Sequence, residues 1–311
     1  MRRDDIAPPT IVWHARHRLE GSQGEAERGS VTGASATPHI PARGTLWERL
    51  KEWRSRSSRP ARDEGICPSR WHELRSAVEA TGPLRVDDVN VPGAGSALRI
   101  TRPYPVITDD DRDVPYWSEI WPSGIELAGV ISRDPNILYA RRVLELGPGV
   151  GVTAVAALRA GADLVLADSE SGSLLFCAFN ALDQASVEPT TVRVNWREPN
   201  ATFFELAGEG FSLVLAADVL YEDEDVKPFM ALIERIVAPG GELWLAEPGR
   251  DPATRFVKAM RKRGWRGTDE KYDSLWPDPH DHDLDVVTVH RLGRPSTTSR
   301  RGRSDLGQGG D

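Results

Sequence analysis

Cysteine is nearly absent: two in 311 residues, Cys67 and Cys177. They lie far apart and without metal-ligand spacing. That excludes a disulfide framework, leaves no motif for a metal, and points to two free thiols in a reducing compartment. Long apolar runs are also missing, and none approaches the eighteen or so residues a membrane helix needs. The opening Met-Arg-Arg-Asp-Asp has no apolar stretch behind it of the kind a secretory signal carries. Together these absences predict a cytoplasmic chain with no membrane partner. Positive charge is in deficit, with 39 Lys and Arg against 47 Asp and Glu and a net charge of −8. The arginines crowd the ends, and residues 109–113, 222–225 and 281–285 are acidic. Phosphate neutralisation needs a cationic surface, so nucleic acid is not an expected partner.

What is present is enough for a core, with 39% hydrophobic residues and ten tryptophans. The organisation is uneven. Residues 1–65 and 293–311 are rich in Gly, Ser, Pro and Arg and predict disordered tails. A transient amphipathic helix is expected at residues 46–53. Residues 66–118 read as an N-terminal lid. It holds a helix over 69–80 capped by Ser69, then two short strands, 84–91 and 98–102, joined by Pro-Gly-Ala-Gly. Residues 119–292 read as the main domain.

That domain is organised around residues 141–168. A buried strand (Val143, Leu144, Leu146) runs into Gly147-Pro148-Gly149-Val-Gly151, then an Ala-rich helix over 153–160. A second apolar strand ends on Asp168. Glycines let a ligand come close to the backbone at a strand's carboxyl end, and an acid at the next strand's tip can hold a ribose diol. A dinucleotide fingerprint would need a third glycine where Val152 stands. Glu145-Leu-Gly147-Pro148-Gly149 instead fits the acid-x-Gly-x-Gly turn of S-adenosylmethionine sites. A carboxylate there suits a cofactor that carries an ammonium group and no phosphate.

Around this unit the chain repeats strand and helix. Tyr116, Trp117 and Trp121 precede a helix that starts near Pro122; Trp121 is expected in a pocket, while Trp117 suits pocket and core equally. A helix over 173–182 leads to a strand over 190–194, which ends in Asn195-Trp196. There an amide and an indole could hold an adenine. The apolar run 211–217 predicts a central strand whose tip presents Ala217, Asp218 and Tyr221. A helix over 226–237, a Pro239-Gly-Gly241 turn, a strand over 242–246 and a helix over 252–263 follow. Segments 265–273 and 285–291 have no helix between them and predict an antiparallel hairpin. The expected fold is α/β, a Rossmann-like, doubly wound, mostly parallel sheet with an antiparallel C-terminal hairpin and a small lid.

With these motifs in hand, residues 112–292 resemble the seven-strand, Rossmann-like methyltransferases that use S-adenosylmethionine. More narrowly they resemble the lysine-methyltransferase branch called methyltransferase family 16, including the electron-transfer-flavoprotein β-subunit lysine methyltransferases and bacterial relatives. The resemblance rests on Pro115-Tyr-Trp-Ser-Glu-Ile-Trp-Pro-Ser-Gly124, residues 143–151, Asp168, Asn195-Trp196, and Asp218-Val-Leu-Tyr221 with Glu224. It implies that Trp121, Glu145, Gly147, Pro148, Gly149, Asp168, Asn195, Trp196 and Ala217 bind the cofactor. It places Asp218, Tyr221 and Glu224 on the acceptor side as catalytic candidates. Asn195 departs from an aspartate common at that position, and residues 1–65 have no counterpart. The implied activity is N-methylation of a protein lysine by a monomeric enzyme. A small-molecule methyltransferase, nicotinamide-like or other, is the alternative, and a non-enzymatic cofactor-binding protein is a third reading.

Overall fold

The computed structural model describes residues 68–104, 115–276 and 286–296. All of them lie in one compact unit of the chain, Trp53–Asp311; the other, Met1–Glu52, falls outside the described residues. So do the expected 1–65 tail, its transient helix at 46–53, and the C-terminal tail from 297 onward.

In chain order the elements are α1 (Pro68–Glu79), β1 (Leu84–Val89), β2 (Leu98–Pro103), α2 (Pro122–Arg133), β3 (Arg142–Leu146), α3 (Val152–Arg159), β4 (Asp163–Asp168) and α4 (Ser171–Ala185). Then come β5 (Thr190–Arg193), α5 (Ala201–Ala207), β6 (Phe211–Ala217), α6 (Val226–Ile236), β7 (Val237–Glu247), α7 (Asp251–Lys262), β8 (Arg266–Asp273) and β9 (Val286–Gly293). Seven strands form one sheet in the order β5-β4-β3-β6-β7-β9-β8. β3 to β7 are parallel, and β9 slots between β7 and β8 antiparallel to both. The strand order reverses between β3 and β6, and open α/β sheets bind ligands outside the carboxyl ends of the strands at such a point.

Successive side chains on a strand point to opposite faces, so each strand feeds two cores. Val143, Leu166, Leu213, Leu215 and Trp244 pack with α2 and α3 on one face. Leu144, Val165, Val214, Leu243 and Leu245 pack with Phe203, Phe229, Phe256 and Met260 of α5, α6 and α7 on the other. β6 is as central as its apolar sequence required.

The lid region is fastened to α4. Leu74 and Val78 of α1 pack with Phe176, Phe179 and Leu182. The β1–β2 hairpin is antiparallel as expected, and Asn180 of α4 holds it. Asn180 Oδ1 accepts from the Thr101 N–H at 2.9 Å, and its Nδ2 donates to Thr101 O and to Val150 O. Buried Arg102 pairs with Asp87 and Glu119, both at 2.7 Å.

Several elements differ from expectation. α1 begins one residue earlier than expected, at Pro68, with Ser69 inside it. The Pro239-Gly-Gly241 turn is absorbed into β7. There a register shift opposite Phe211 and Leu213, with Gly240 at φ 75°, takes up the extra residues as a bulge. α5 was not foreseen; Asn200 caps it by accepting from the Phe203 N–H at 2.9 Å. β9 runs one residue past the expected domain end, to Gly293.

Candidate functional site

The tips of β3, β4, β5 and β6 carry every residue expected at the site except Trp121 and Glu224. β3 leads into the glycine turn, where Gly147 (φ 64°) and Gly149 (φ 55°) adopt the left-handed backbone that glycine tolerates. The turn is held from several sides. Gly147 N–H donates to Ala167 O, Ser173 Oγ lies 3.0 Å from Gly149 O, and Pro148 is buried. A Cβ on Gly147 would stand 2.9 Å from Val219 Cγ1, so the β3 and β6 tips meet there.

Glu145, on β3 just before the turn, is 2% exposed and its Oε2 has no hydrogen-bond partner. Burial alone pushes its carboxyl up to about 8. A buried carboxylate oxygen with nothing bonded to it is costly and waits for a cation or a donor. At the β4 tip, Asp168 is also buried. Its Oδ1 accepts from the Glu170 N–H at 2.9 Å and its Oδ2 from the Ser173 hydroxyl at 2.6 Å. Burial raises its pKa against these bonds. Each carboxylate oxygen has a second lone pair, so the acid keeps capacity for a diol.

At the β5 tip Trp196 is half-buried, its ring edge-on to Phe229 at 5.4 Å. Asn195 is exposed, and its Oδ1 closes a turn by accepting from the Arg197 N–H. Half-buried Ala217 ends β6 beside Asp218. Asp218 itself is left-handed at φ 53°, uncommon for a residue with a side chain and characteristic of functional sites. Its N–H donates to Ala246 O, and its carboxylate takes Arg250 Nε at 2.9 Å and Nη2 at 3.3 Å.

The β6 tip, expected to face the acceptor, is ringed by aromatic side chains and acids. Tyr116 lies 6.1 Å from the Trp121 ring and 6.3 Å from Tyr221. Both tyrosines are about half exposed, at 50% and 53%. Trp121 caps α2 and donates through Nε1 to Tyr116 O. Trp117 goes to the core instead: its ring packs on Phe176 at 5.7 Å and against Gly172. Partial desolvation raises the Tyr221 phenol, and the charges of Asp225, Glu222 and Asp168 add to this against Arg197.

Glu224 is exposed and makes no hydrogen bond or ion pair among the described residues. The acid that turns inward is Asp225. Its Oδ1 meets Arg197 Nε at 2.5 Å, while its Oδ2 is buried without a partner. Arg197 also reaches Glu222, and Arg255 pairs with Asp223. Sequence reasoning missed Arg197, Asp225 and Arg250. Within the acid run 222–225 only the position just ahead of α6 marked Asp225; no pattern marked the arginines.

A family model described as lysine methyltransferase matches residues 107–263. The electron transfer flavoprotein beta subunit lysine methyltransferase of Rattus norvegicus is 28% identical over 142 residues, 44% of this chain and 51% of that protein. The ubiquinone biosynthesis O-methyltransferase of Dinoroseobacter shibae is 28% identical over 161 residues, 49% of this chain and 62% of that protein. The chain thus spans between half and two thirds of the length of these two relatives. Among solved structures, the N-methyltransferase NodS of Bradyrhizobium japonicum, in complex with S-adenosylhomocysteine, is 15% identical with a TM-score of 0.41. That match covers 60% of this chain and 94% of NodS.

Proposed function

Because the chain belongs to the lysine methyltransferase family, we propose that it methylates the side-chain amine of a lysine on a partner protein, with S-adenosylmethionine as methyl donor. The observation that carries this reading is the orphaned Glu145 carboxylate beside the glycine turn, with Asp168 one strand away and the Asp218–Tyr221 tip across the switch point. These groups fit the cofactor: Glu145 for its ammonium, Gly147 to Gly149 for its methionine end, and Asp168 for its ribose. Trp196 and Asn195 would flank its adenine, Trp121 would contact it and Ala217 would line the pocket. When bound, S-adenosylmethionine supplies a methyl already activated on a sulfonium.

The protein's own work is then mostly alignment, which is worth several kcal/mol. A lysine amine near pKa 10.4 must shed a proton before it can attack. The rings of Tyr116 and Tyr221 desolvate it and lower that value, while a carboxylate beside it raises the value and fixes its position. Asp218 therefore orients the amine first and accepts its proton second, directly or through water. Half-exposed tyrosines and the exposed acids of residues 222–224 suit an acceptor presented on a protein surface.

A small-molecule acceptor is the second reading. It is favoured by the arginines that already neutralise Asp218, Glu222, Asp223 and Asp225. Incubating the enzyme with methyl-labelled S-adenosylmethionine and cell lysate decides between them. Label in a protein band, converted to methyllysine on hydrolysis, is expected; label confined to a soluble product would transfer the assignment to the second reading.

A further inference from the structure

α7 carries a second charged feature, outside the site described above. Residues 252–266 contain six arginines and lysines and no acid, in a chain of net charge −8. The helical repeat sets Thr254, Lys258, Arg261 and Lys262 along one side of α7. Between that side and the sheet lies a groove of about 500 Å³, with Glu247 of β7 and His290 of β9 also in its lining.

The acids near this groove already have partners. Glu247 accepts from His290 Nε2 at 3.1 Å and from the Gly249 N–H at 2.6 Å. Asp269 of β8 binds His290 Nδ1 at 2.7 Å and both its oxygens take Arg261 Nη2 at 2.6 Å. Lys258 and Lys262 are exposed and make no hydrogen bond or ion pair among the described residues. The groove therefore has two spare ammonium groups and no spare carboxylate.

We propose that this groove docks a short acidic peptide segment, with its carboxylates seated on Lys258 and Lys262. Resting on the protein-lysine reading, the segment belongs to the acceptor protein. α7 starts directly after Arg250, which holds Asp218, and its Arg255 pairs with Asp223 of the acceptor rim. One helix thus joins an acidic rim, suited to a lysine, to a basic groove suited to acids flanking that lysine. A nucleic-acid backbone is a poorer fit. It would extend past the groove toward the exposed acids Glu224 and Asp273, where phosphates are repelled. A short run of carboxylates ends within the groove.

The test is fluorescence-polarisation titration of the full chain with a labelled hexaglutamate peptide, at low salt and at about 0.15 M. Lys258→Ala/Lys262→Ala is compared with a charge-matched control, Arg99→Ala/Lys227→Ala, and S-adenosylhomocysteine binding is measured on every variant. The proposal expects saturable, salt-sensitive binding that weakens about tenfold or more in the α7 variant. The control should retain wild-type peptide affinity, and both variants wild-type S-adenosylhomocysteine affinity. Absent peptide binding, or equal loss in the two variants, would overturn it. So would displacement of the peptide by an oligothymidylate or inorganic phosphate at lower concentration than unlabelled hexaglutamate needs. Because no methyl acceptor enters the assay, its failure is separate from failure of the lysine reading.

Discussion

Glu145 is the residue on which the proposed cofactor site turns. Its carboxyl, raised to about 8 by burial, is largely protonated at neutral pH. A folded-state value above the unfolded one means a stability contribution that is complete below the ordinary carboxyl range and is lost as pH rises through about 8. An ammonium group beside it favours the ionised form and drives the proton off. S-adenosylhomocysteine keeps that ammonium, so its binding should release a proton near pH 7. The calorimetric heat should then vary with the ionisation enthalpy of the buffer, and affinity should climb as pH rises toward 8. Glu145→Gln should abolish the buffer dependence; identical heats for the wild type in all buffers would contradict the role. On the acceptor side, Asp218→Asn should lower kcat/KM by about 10- to 100-fold. Glu224→Gln should change it by less than about threefold, because an exposed carboxylate interacts weakly with a nearby charge. Steady-state kinetics on the labelled acceptor measures both. If both variants kept full turnover, the acceptor-side assignment would fail. The sequence placed acids at 218 and 222–225 but could not say which turned inward, since that depends on Arg197, a contact between distant loops.

Among elements, α4 fastens the N-terminal hairpin to the glycine turn through one side chain. Asn180→Ala would leave the Thr101 N–H, Thr101 O and Val150 O without their partner. Unsatisfied buried groups of this kind cost about 1–3 kcal/mol each, partly relieved by water. Urea unfolding should show a loss of about 2–4 kcal/mol, with weaker S-adenosylhomocysteine binding because the turn loosens. Unchanged stability would mean that the hairpin does not depend on this residue. The closing hairpin has its own tie, His290 between Glu247 and Asp269. Burial would lower the imidazole pKa, but the two carboxylates outweigh it and raise it from 6.5. Such a shift stabilises fully below the unfolded value and is lost as pH climbs through the folded one. Melting of the wild type relative to His290→Gln should therefore lose its advantage as pH rises from about 6.5. An advantage that does not change with pH would contradict a charged His290. Strands and helices with one strong apolar pattern, β6 and α6 above all, were legible from sequence. Short α5 was not, because its signal is a single cap, and the β7 bulge looked like an independent turn because Pro239-Gly-Gly241 is turn chemistry.

For the molecule as a whole, the parallel sheet followed from strand, turn and helix recurring in order, and the antiparallel ending from the lack of a helical sequence pattern between segments 265–273 and 285–291. The order of β8 and β9 was not legible, since it depends on which of two similar strands pairs with β7. Family membership bears on the reaction class, whereas the ion pairs between loops at the β6 tip, Arg197 with Asp225 and Arg250 with Asp218, are encoded by no motif. The described residues contain no helix long and apolar enough to cross a membrane.

Calorimetric titration with S-adenosylhomocysteine, run on the wild type and on Asp168→Ala, tests the central claim most directly. The structure predicts micromolar, single-site binding to the wild type and a loss of at least about tenfold in the variant, as expected where one hydrogen-bonded acid holds a diol. Equal binding by both proteins would remove Asp168 from the site. No binding by the wild type would contradict the cofactor assignment and the methyltransferase account with it.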